Sequence, residues 1–182
     1  MNSQYQRNYN SNTYHSYDKN PADDYETPNW LLKFIKERFN ITVDIAGDAQ
    51  SNRISGSPLY GSEFNALDAD WSKFPGTKFC FPPFSKPFFS QFLSKAHEEW
   101  SRGESSIVLA PLKTIAVDYF QAVRAPIIHI VYPRVNFSFN GREVGAPDSI
   151  CLLEYNASVE AFVTPKIEFL DLKSLIPTSQ RR

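Results

Sequence analysis

The chain has 182 residues, of which 42% are hydrophobic and 15% aromatic, and its formal net charge is −1 at pH 7. This length is sufficient for one domain with a sizeable core and a short tail. The near-neutral charge excludes a protein that is basic all over, so any contact with nucleic acid needs a local basic patch. No apolar run approaches 18 residues and no secretory signal is visible, so we expect a cytoplasmic protein without membrane association.

The first 20 residues are a mixture of Tyr, Asn and Ser that contains no Leu, Ile or Val. Such a segment buries too little apolar area to offset the entropy lost on ordering, which predicts a flexible arm over residues 1–20. A nucleic-acid contact through its tyrosines is the alternative for this arm. We expect one domain over residues 21–175 and a polar tail over residues 176–182.

Alternating helix and strand patterns follow the arm. Thr27 and Pro28 predict a helix start, with a hydroxyl N-cap and proline in the first helical position. Apolar periodicity and breaker residues place helices over 28–39, 87–102 and 115–124, and strands over 41–46, 78–81, 106–110, 127–131, 135–139, 150–155 and 167–170. Residues 47–65 read as loop, with a short strand at 59–60. This order predicts an α/β fold with a mostly parallel sheet and antiparallel C-terminal strands.

The segment Phe81-Pro82-Pro83-Phe84 ends a buried strand. Neither proline has an N–H to donate, so the strand cannot continue and a rigid loop begins at its carboxyl end. In open α/β sheets, ligands bind at this edge. The loop is therefore the first candidate for a functional site.

The order of these motifs resembles that of the phage DNA N6-adenine methyltransferase family, which is Dam-like. The family's Asn/Asp-Pro-Pro-Tyr motif corresponds to Phe81-Pro82-Pro83-Phe84, with a phenylalanine in place of the Asp or Asn. The other matching pieces are Asp24-Tyr25-Glu26-Thr27-Pro28, Asp44-Ile45-Ala46, Asn52, Ala66-Leu67, Trp71, Lys95-Ala96, Leu109-Ala110-Pro111 and Arg134-Val135-Asn136-Phe137. The resemblance implies a Rossmann-like, S-adenosylmethionine-dependent methyltransferase fold. For a phage-encoded chain, the compartment is the host bacterial cytoplasm.

The resemblance also implies a cofactor site. It assigns Thr27, Pro28, Asp44 and Ala46 to the S-adenosylmethionine pocket, and Asn65 to the position where the family offers an acid to the adenine of the cofactor. A carboxylate at a strand end suits the methionine ammonium or the ribose hydroxyls, although a carboxylate that caps the next turn is the alternative for Asp44.

In this family the Pro-Pro-aromatic loop receives the flipped adenine, so the resemblance makes residues 81–84 the catalytic segment. Phe84 would support the face of the base, and the Pro82 carbonyl would accept one N6 hydrogen. Phe81 carries no acceptor for the other hydrogen. Two alternatives follow: the site is inactive, or a neighbour such as Ser85 supplies the acceptor.

Three basic residues near predicted strand ends, Lys86, Lys113 and Arg134, are candidates for phosphate contacts, and solvated surface charge is the alternative. Double-stranded DNA is the expected partner. With three His and two dispersed Cys, no metal site is expected, and Cys80 and Cys151 are predicted to be buried, reduced thiols.

Three functions remain open on these residues. The first is an adenine methyltransferase. The second is a non-enzymatic descendant that binds DNA, cofactor or a host protein. The third is a structural protein that docks through its tyrosine-rich arm.

Overall fold

The computed structural model of the chain describes residues 25–47, 54, 57–58, 64–139, 142–145, 148–160 and 164–178. Within these ranges the helices are α1 (Asn29–Phe39), α2 (Phe88–Ser101) and α3 (Asp118–Val123). The strands are β1 (Tyr25–Glu26), β2 (Ile41–Asp44), β3 (Thr77–Cys80), β4 (Ser106–Pro111), β5 (Ile127–Tyr132), β6 (Asn136–Phe139), β7 (Arg142–Gly145), β8 (Ile150–Tyr155) and β9 (Lys166–Asp171). The proposed arm over residues 1–20 and the suggested strand at 59–60 lie outside the described residues.

Six strands form the main sheet, in the order β2-β3-β4-β8-β5-β9. β2, β3 and β4 are parallel, β8 is antiparallel to both β4 and β5, and β5 is parallel to β9. Five strands therefore run in one direction around the reversed β8. The carboxyl ends of β2, β3, β4 and β5 lie at one edge of the sheet, which we call the carboxyl edge.

The two faces of the sheet are covered by different elements. On one face α2 buries an apolar stripe with helical spacing: Phe89, Phe92, Leu93, Ala96 and Trp100. On the other face α1 buries Leu31, Leu32, Ile35 and Phe39. β4 is buried on both sides, as its continuously apolar sequence predicts, since Val108 faces the α2 cluster and Leu109 faces the α1 cluster.

A small antiparallel sheet in the order β1-β6-β7 lies beside the α1 face. Its aromatic residues join it to the main sheet. The Phe137 ring lies 5.6 Å from the Phe81 ring and 6.3 Å from the Tyr25 ring. The small sheet therefore extends the apolar core to the end of β3.

The structure differs from the sequence-based prediction at several element boundaries. α1 begins at Asn29, with Pro28 in the N-cap position and no side-chain capping bond, so the predicted Thr27 cap is not formed. The chain turns through a 3₁₀ segment at Leu112–Ala116 before α3, which shortens the third helix. β7 was not predicted, because its short polar sequence lacks alternating apolar residues.

The last strand also differs from the prediction of antiparallel C-terminal strands, because β9 is parallel to its neighbour β5. β9 pairs with the free side of β5 and runs parallel to it, so it runs opposite to β8. Beyond it, the expected polar tail starts with Ile176, whose side chain is buried. Among the described helices, none is long and apolar enough to cross a membrane.

Candidate functional site

The ends of β2 and β3 bring two of the predicted motifs together. In the parallel pairing of these strands, Asp44 is opposite Phe79, and the Ile45 N–H donates to the Phe79 carbonyl at 3.0 Å. Asp44 thus lies beside the carboxyl end of β3, just before the Pro-Pro loop. The parallel pairing of β2 with β3 therefore places both motifs at the carboxyl edge.

Asp44 is buried and organises the backbone after β2. Its side chain is 4% exposed, and its Oδ1 accepts hydrogen bonds from the Ala46 and Gly47 N–H groups, both at 3.0 Å. The Asp44 N–H in turn donates to the Ser57 Oγ at 2.8 Å. The carboxylate therefore caps the turn that follows β2, which is one of the two alternatives stated for this residue.

The charge of Asp44 acts on the neighbouring strand. Burial raises the pKa of the Cys80 thiol well above its usual value, and the negative charge of Asp44 raises the pKa further. Cys80 and Cys151 are both fully buried, and neither has a disulfide partner. Both thiols are protonated and unreactive at neutral pH, in agreement with the prediction of buried thiols.

The Pro-Pro loop is lined by a ladder of aromatic rings. The Phe81 and Phe84 ring centroids lie 5.4 Å apart, and Phe84 meets Phe89 of α2 edge to face, also at 5.4 Å. On its other side Phe81 contacts Phe137 of β6 at 5.6 Å. Pro82 between them is buried. The ladder fixes the loop between the two sheets and α2.

Phe81 is therefore a packing residue as well as a departure from the family motif. Its ring is half-buried and packs against the α1-side cluster. An Asp or Asn at this position would provide an acceptor but would lose the contact with Phe137. The sequence motif alone gave Phe137 no role, because it lies on a different strand, 56 positions later in the chain.

Thr27 and Pro28 lie at the start of α1, on the α1 side of the sheet. Because α1 ends at Phe39 and β2 begins at Ile41, the helix runs back along the sheet and its first turn returns towards the carboxyl edge. Tyr25, just before Thr27, is also within ring-contact distance of Phe137. Both predicted residues are half-buried.

Asn65 lies on the other side of the sheet, in a turn that packs through Ala66, Leu67 and Trp71 against the α2-side cluster. Its amide is already used locally. Oδ1 accepts from the Leu67 N–H at 3.0 Å, and Nδ2 donates to the Asp68 carboxylate at 2.6 Å. The turn also receives the Trp71 Nε1–H at the Ala66 carbonyl, 2.8 Å away.

The three basic candidates follow β3, β4 and β5, and so all lie at the carboxyl edge. Lys86 and Arg134 are exposed. Lys113 is 71% exposed and forms an ion pair with Asp148 at 2.6 Å. The fold thus places the three strand ends that these cations follow at one edge of the sheet, and Asp148 partly compensates the charge of Lys113.

A cavity of about 390 Å³ lies at the opposite edge of the sheet, lined by Arg38, Phe39, His129, Glu154 and Glu168 among others. His129 is 1% exposed, and its Nε2 lies 2.6 Å from Glu154. Its Nδ1 lies 3.2 Å from the Glu168 carboxylate without hydrogen-bond geometry. Burial alone would raise the pKa of Glu154, but the hydrogen bonds from His129 and Asn156 outweigh it and the pKa is lowered.

Sequence reasoning assigned no role to this His–Glu cluster, because its members come from three different strands. Among the described residues, no group of three His, Cys, Asp or Glu side chains is arranged to hold a metal ion. The cluster is thus a polar network that joins β5 to its neighbours β8 and β9.

A comparison with curated proteins finds no match. The family model described as DNA N-6-adenine-methyltransferase (Dam) matches residues 15–151, a span that contains β2, the Pro-Pro loop and the basic residues of the carboxyl edge. The chain belongs to the DNA N-6-adenine-methyltransferase (Dam) family.

Proposed function

We propose that this member of the Dam family binds S-adenosylmethionine at the carboxyl edge of a Rossmann-like sheet, next to a DNA base site whose catalysis is weakened or lost at Phe81. One observation carries the proposal. The parallel neighbours β2 and β3 end side by side in Asp44 and in the Pro-Pro-aromatic loop. This arrangement is the one that brings a cofactor and a substrate base together at one edge of an α/β sheet.

The chemistry of Asp44 fits the cofactor. A buried carboxylate held rigid by two backbone N–H groups is pre-organised to attract an ammonium group. Thr27, Pro28 and Ala46 would complete the pocket. Asn65 would contribute only the hydrogen-bonding capacity that its bonds with Leu67 and Asp68 leave. When bound, S-adenosylmethionine supplies an electrophilic methyl group.

The base site has one of its two acceptors. The Pro82 carbonyl can accept one N6 hydrogen of a flipped adenine, while Phe81 offers only a hydrocarbon ring. An amino group desolvated without a partner costs about 1–3 kcal/mol. The Phe84 ring, already packed between Phe81 and Phe89, would present its remaining face to the base. Lys86, Lys113 and Arg134 would hold the phosphates of the flanking duplex.

A second function is a non-enzymatic protein that keeps the fold to bind DNA or a host protein, with an inhibitory or anti-defence role. The observation that favours it is the integration of Phe81 into the core. Because its ring contacts Phe84 and Phe137, the lost acceptor has been replaced by packing that helps to hold the loop.

Calorimetric titration with S-adenosylmethionine tests the cofactor site, and transfer of tritiated methyl groups to unmethylated DNA tests catalysis. Saturable binding with little or no transfer supports the proposal. Absence of binding removes the cofactor site and leaves the non-enzymatic function. Binding together with transfer at an ordinary enzymatic rate refutes the assignment of a weakened site.

A further inference from the structure

β9 is an edge strand whose backbone groups are open on one side. Its pairing with β5 uses alternate residues, since the Lys166 N–H donates to the Pro126 carbonyl at 2.9 Å and the Leu172 N–H donates to the Tyr132 carbonyl at 2.7 Å. In a parallel ladder the residues between them direct their N–H and C=O groups away from β5. Ile167, Phe169 and Asp171 therefore form a row of outward-facing donors and acceptors.

The opposite edge of the sheet differs in this respect. At β2, the outward Asp44 N–H has a partner, because it donates to the Ser57 Oγ at 2.8 Å. Natural sheets cover or disrupt their edges in this way to prevent pairing with another chain. Within the part of the chain that the structure describes, β9 has no such cover.

The side chains of β9 are also unusual for a free edge. Phe169 is 75% exposed and Ile167 is 54% exposed, both on the same face of the strand. No proline or bulge interrupts residues 166–171. An exposed apolar edge strand of this kind is an association surface.

We propose that this surface pairs with a second copy of the chain, β9 against β9 in antiparallel orientation, to form a two-fold symmetric dimer with one continuous sheet. The axis passes between the Glu168 residues of the two copies, perpendicular to the sheet. In this register Ile167 is opposite Phe169 of the second copy, and the reverse pair forms by symmetry. Aromatic and β-branched residues are a favourable cross-strand combination, and the outward backbone groups of both strands become paired.

The charges on the other face of the strand balance when a second copy is the occupant, although its register places the two Glu168 carboxylates directly opposite each other. On that face, Lys166 lies diagonally across from Glu168 of the second copy. Lys166 also holds the Glu168 of its own chain at 2.6 Å, and His129 lies 3.2 Å from that carboxylate. Two lysines and two glutamates thus form a neutral group around the axis, so that the two opposed Glu168 carboxylates are compensated.

The dimer has a consequence for the candidate active site. Because the paired β9 strands run in opposite directions, the carboxyl edges of the two copies point in opposite directions. A dimer then presents two independent DNA surfaces instead of one shared surface.

Sedimentation velocity of the full chain over a range of concentrations tests the dimer. We expect a reversible monomer–dimer equilibrium. Phe169→Lys should raise the dimer dissociation constant at least about tenfold, while Leu175→Lys should leave it unchanged. Leu175 is a matched control, because it is 45% exposed and lies outside β9. A native chain that stays monomeric, or a Phe169→Lys variant that dimerises normally, overturns the proposal.

Disulfide trapping tests the register. Opposed residues that are not hydrogen-bonded to each other have Cα atoms about 4.5 Å apart, within the range of a disulfide. In the proposed register the two Glu168 residues are opposite each other, so Glu168→Cys should form a cross-linked dimer under mild oxidation. Ile167 is opposite Phe169 of the second copy, so Ile167→Cys should cross-link more slowly, although Ile167 is the more exposed residue. The native cysteines are buried and do not interfere. Equal cross-linking of the two variants overturns the proposed pairing.

Discussion

Replacing Phe81 with Asn changes the chemistry of the loop and the packing of the core at the same position. Asparagine adds a side-chain carbonyl that can accept the second N6 hydrogen of a flipped adenine. If the missing acceptor alone limits catalysis, Phe81→Asn should gain methyl transfer over a slow or inactive native chain. The same substitution removes a ring from the aromatic ladder and should lower the stability of the fold.

The cost in stability follows from the two ring contacts of Phe81, at 5.4 Å to Phe84 and 5.6 Å to Phe137. Each aromatic pair contributes about 0.5–1.5 kcal/mol beyond its buried area. The half-buried ring adds about 1 kcal/mol of apolar burial. We therefore expect Phe81→Asn to lower the free energy of unfolding by about 2–4 kcal/mol, which is smaller than the typical total of about 5–15 kcal/mol. The variant should remain folded at room temperature.

Phe81→Leu is the matched control, because it also removes the ring but adds no acceptor. Phe81→Leu keeps most of the apolar burial and should therefore lose about 1 kcal/mol less stability than Phe81→Asn. Only Phe81→Asn should gain transfer of tritiated methyl groups to unmethylated DNA. Equal activity of the two variants would mean that bulk, and not the missing acceptor, limits the native site. A native chain that already turns over at about 10⁻² per second or faster, against typical enzymatic values of about 1–10³ per second, would refute the reasoning.

Three further predictions concern other parts of the molecule. Asp44→Asn should weaken S-adenosylmethionine binding at least about tenfold in calorimetry. It should change the melting temperature little, because Oδ1 can still accept the Ala46 and Gly47 N–H groups. Unchanged affinity removes Asp44 from the site. Lys86→Ala should reduce the slope of log binding constant against log salt concentration for duplex DNA by about one unit. Lys113→Ala should reduce this slope less, because Asp148 already pairs with Lys113. Equal slopes for both variants and the native chain would exclude this edge from DNA contact. Glu154 has a pKa below its usual 4.5 in the fold, so it stabilises the fold above that pH, and this stabilisation is lost as the pH falls through the lowered pKa. Glu154→Gln should therefore flatten the loss of urea stability below about pH 4.5, and an unchanged acid profile would contradict the role of the His129 contact.

The sequence predicted the parts of the fold that depend on local patterns. The stripe of α2 is strongly periodic, and the apolar run of β4 has no polar residue to place outward, so both could be recognised from residue order alone. The double proline marked the end of β3 correctly, because loss of two N–H donors has the same effect in any sheet. Asp44 and the Pro-Pro loop then had to meet once their strands were parallel neighbours.

The remaining features depend on contacts between distant segments. Nothing in the local sequence of residues 136–139 indicates that Phe137 meets Phe81, since that contact requires the small sheet to fold against the main one. The His129 cluster combines residues of β5, β8 and β9. The parallel direction of β9 depends on its pairing with β5, a strand that is not its neighbour in sequence, and periodicity does not report such a pairing.

Phe81 links the question of activity to the architecture of the protein. A residue that only lacked an acceptor could be exchanged without effect on the fold, and its identity would report on catalysis alone. Phe81 instead lies in a continuous series of rings from Tyr25 through Phe137 to Phe84. The small sheet is attached to the carboxyl edge through this series, so a change that restores the family's acceptor also weakens the attachment. Stability and methyl transfer should therefore move in opposite directions at this one position, and measuring both on the same variants separates a site that lost its chemistry from a site that exchanged it for packing.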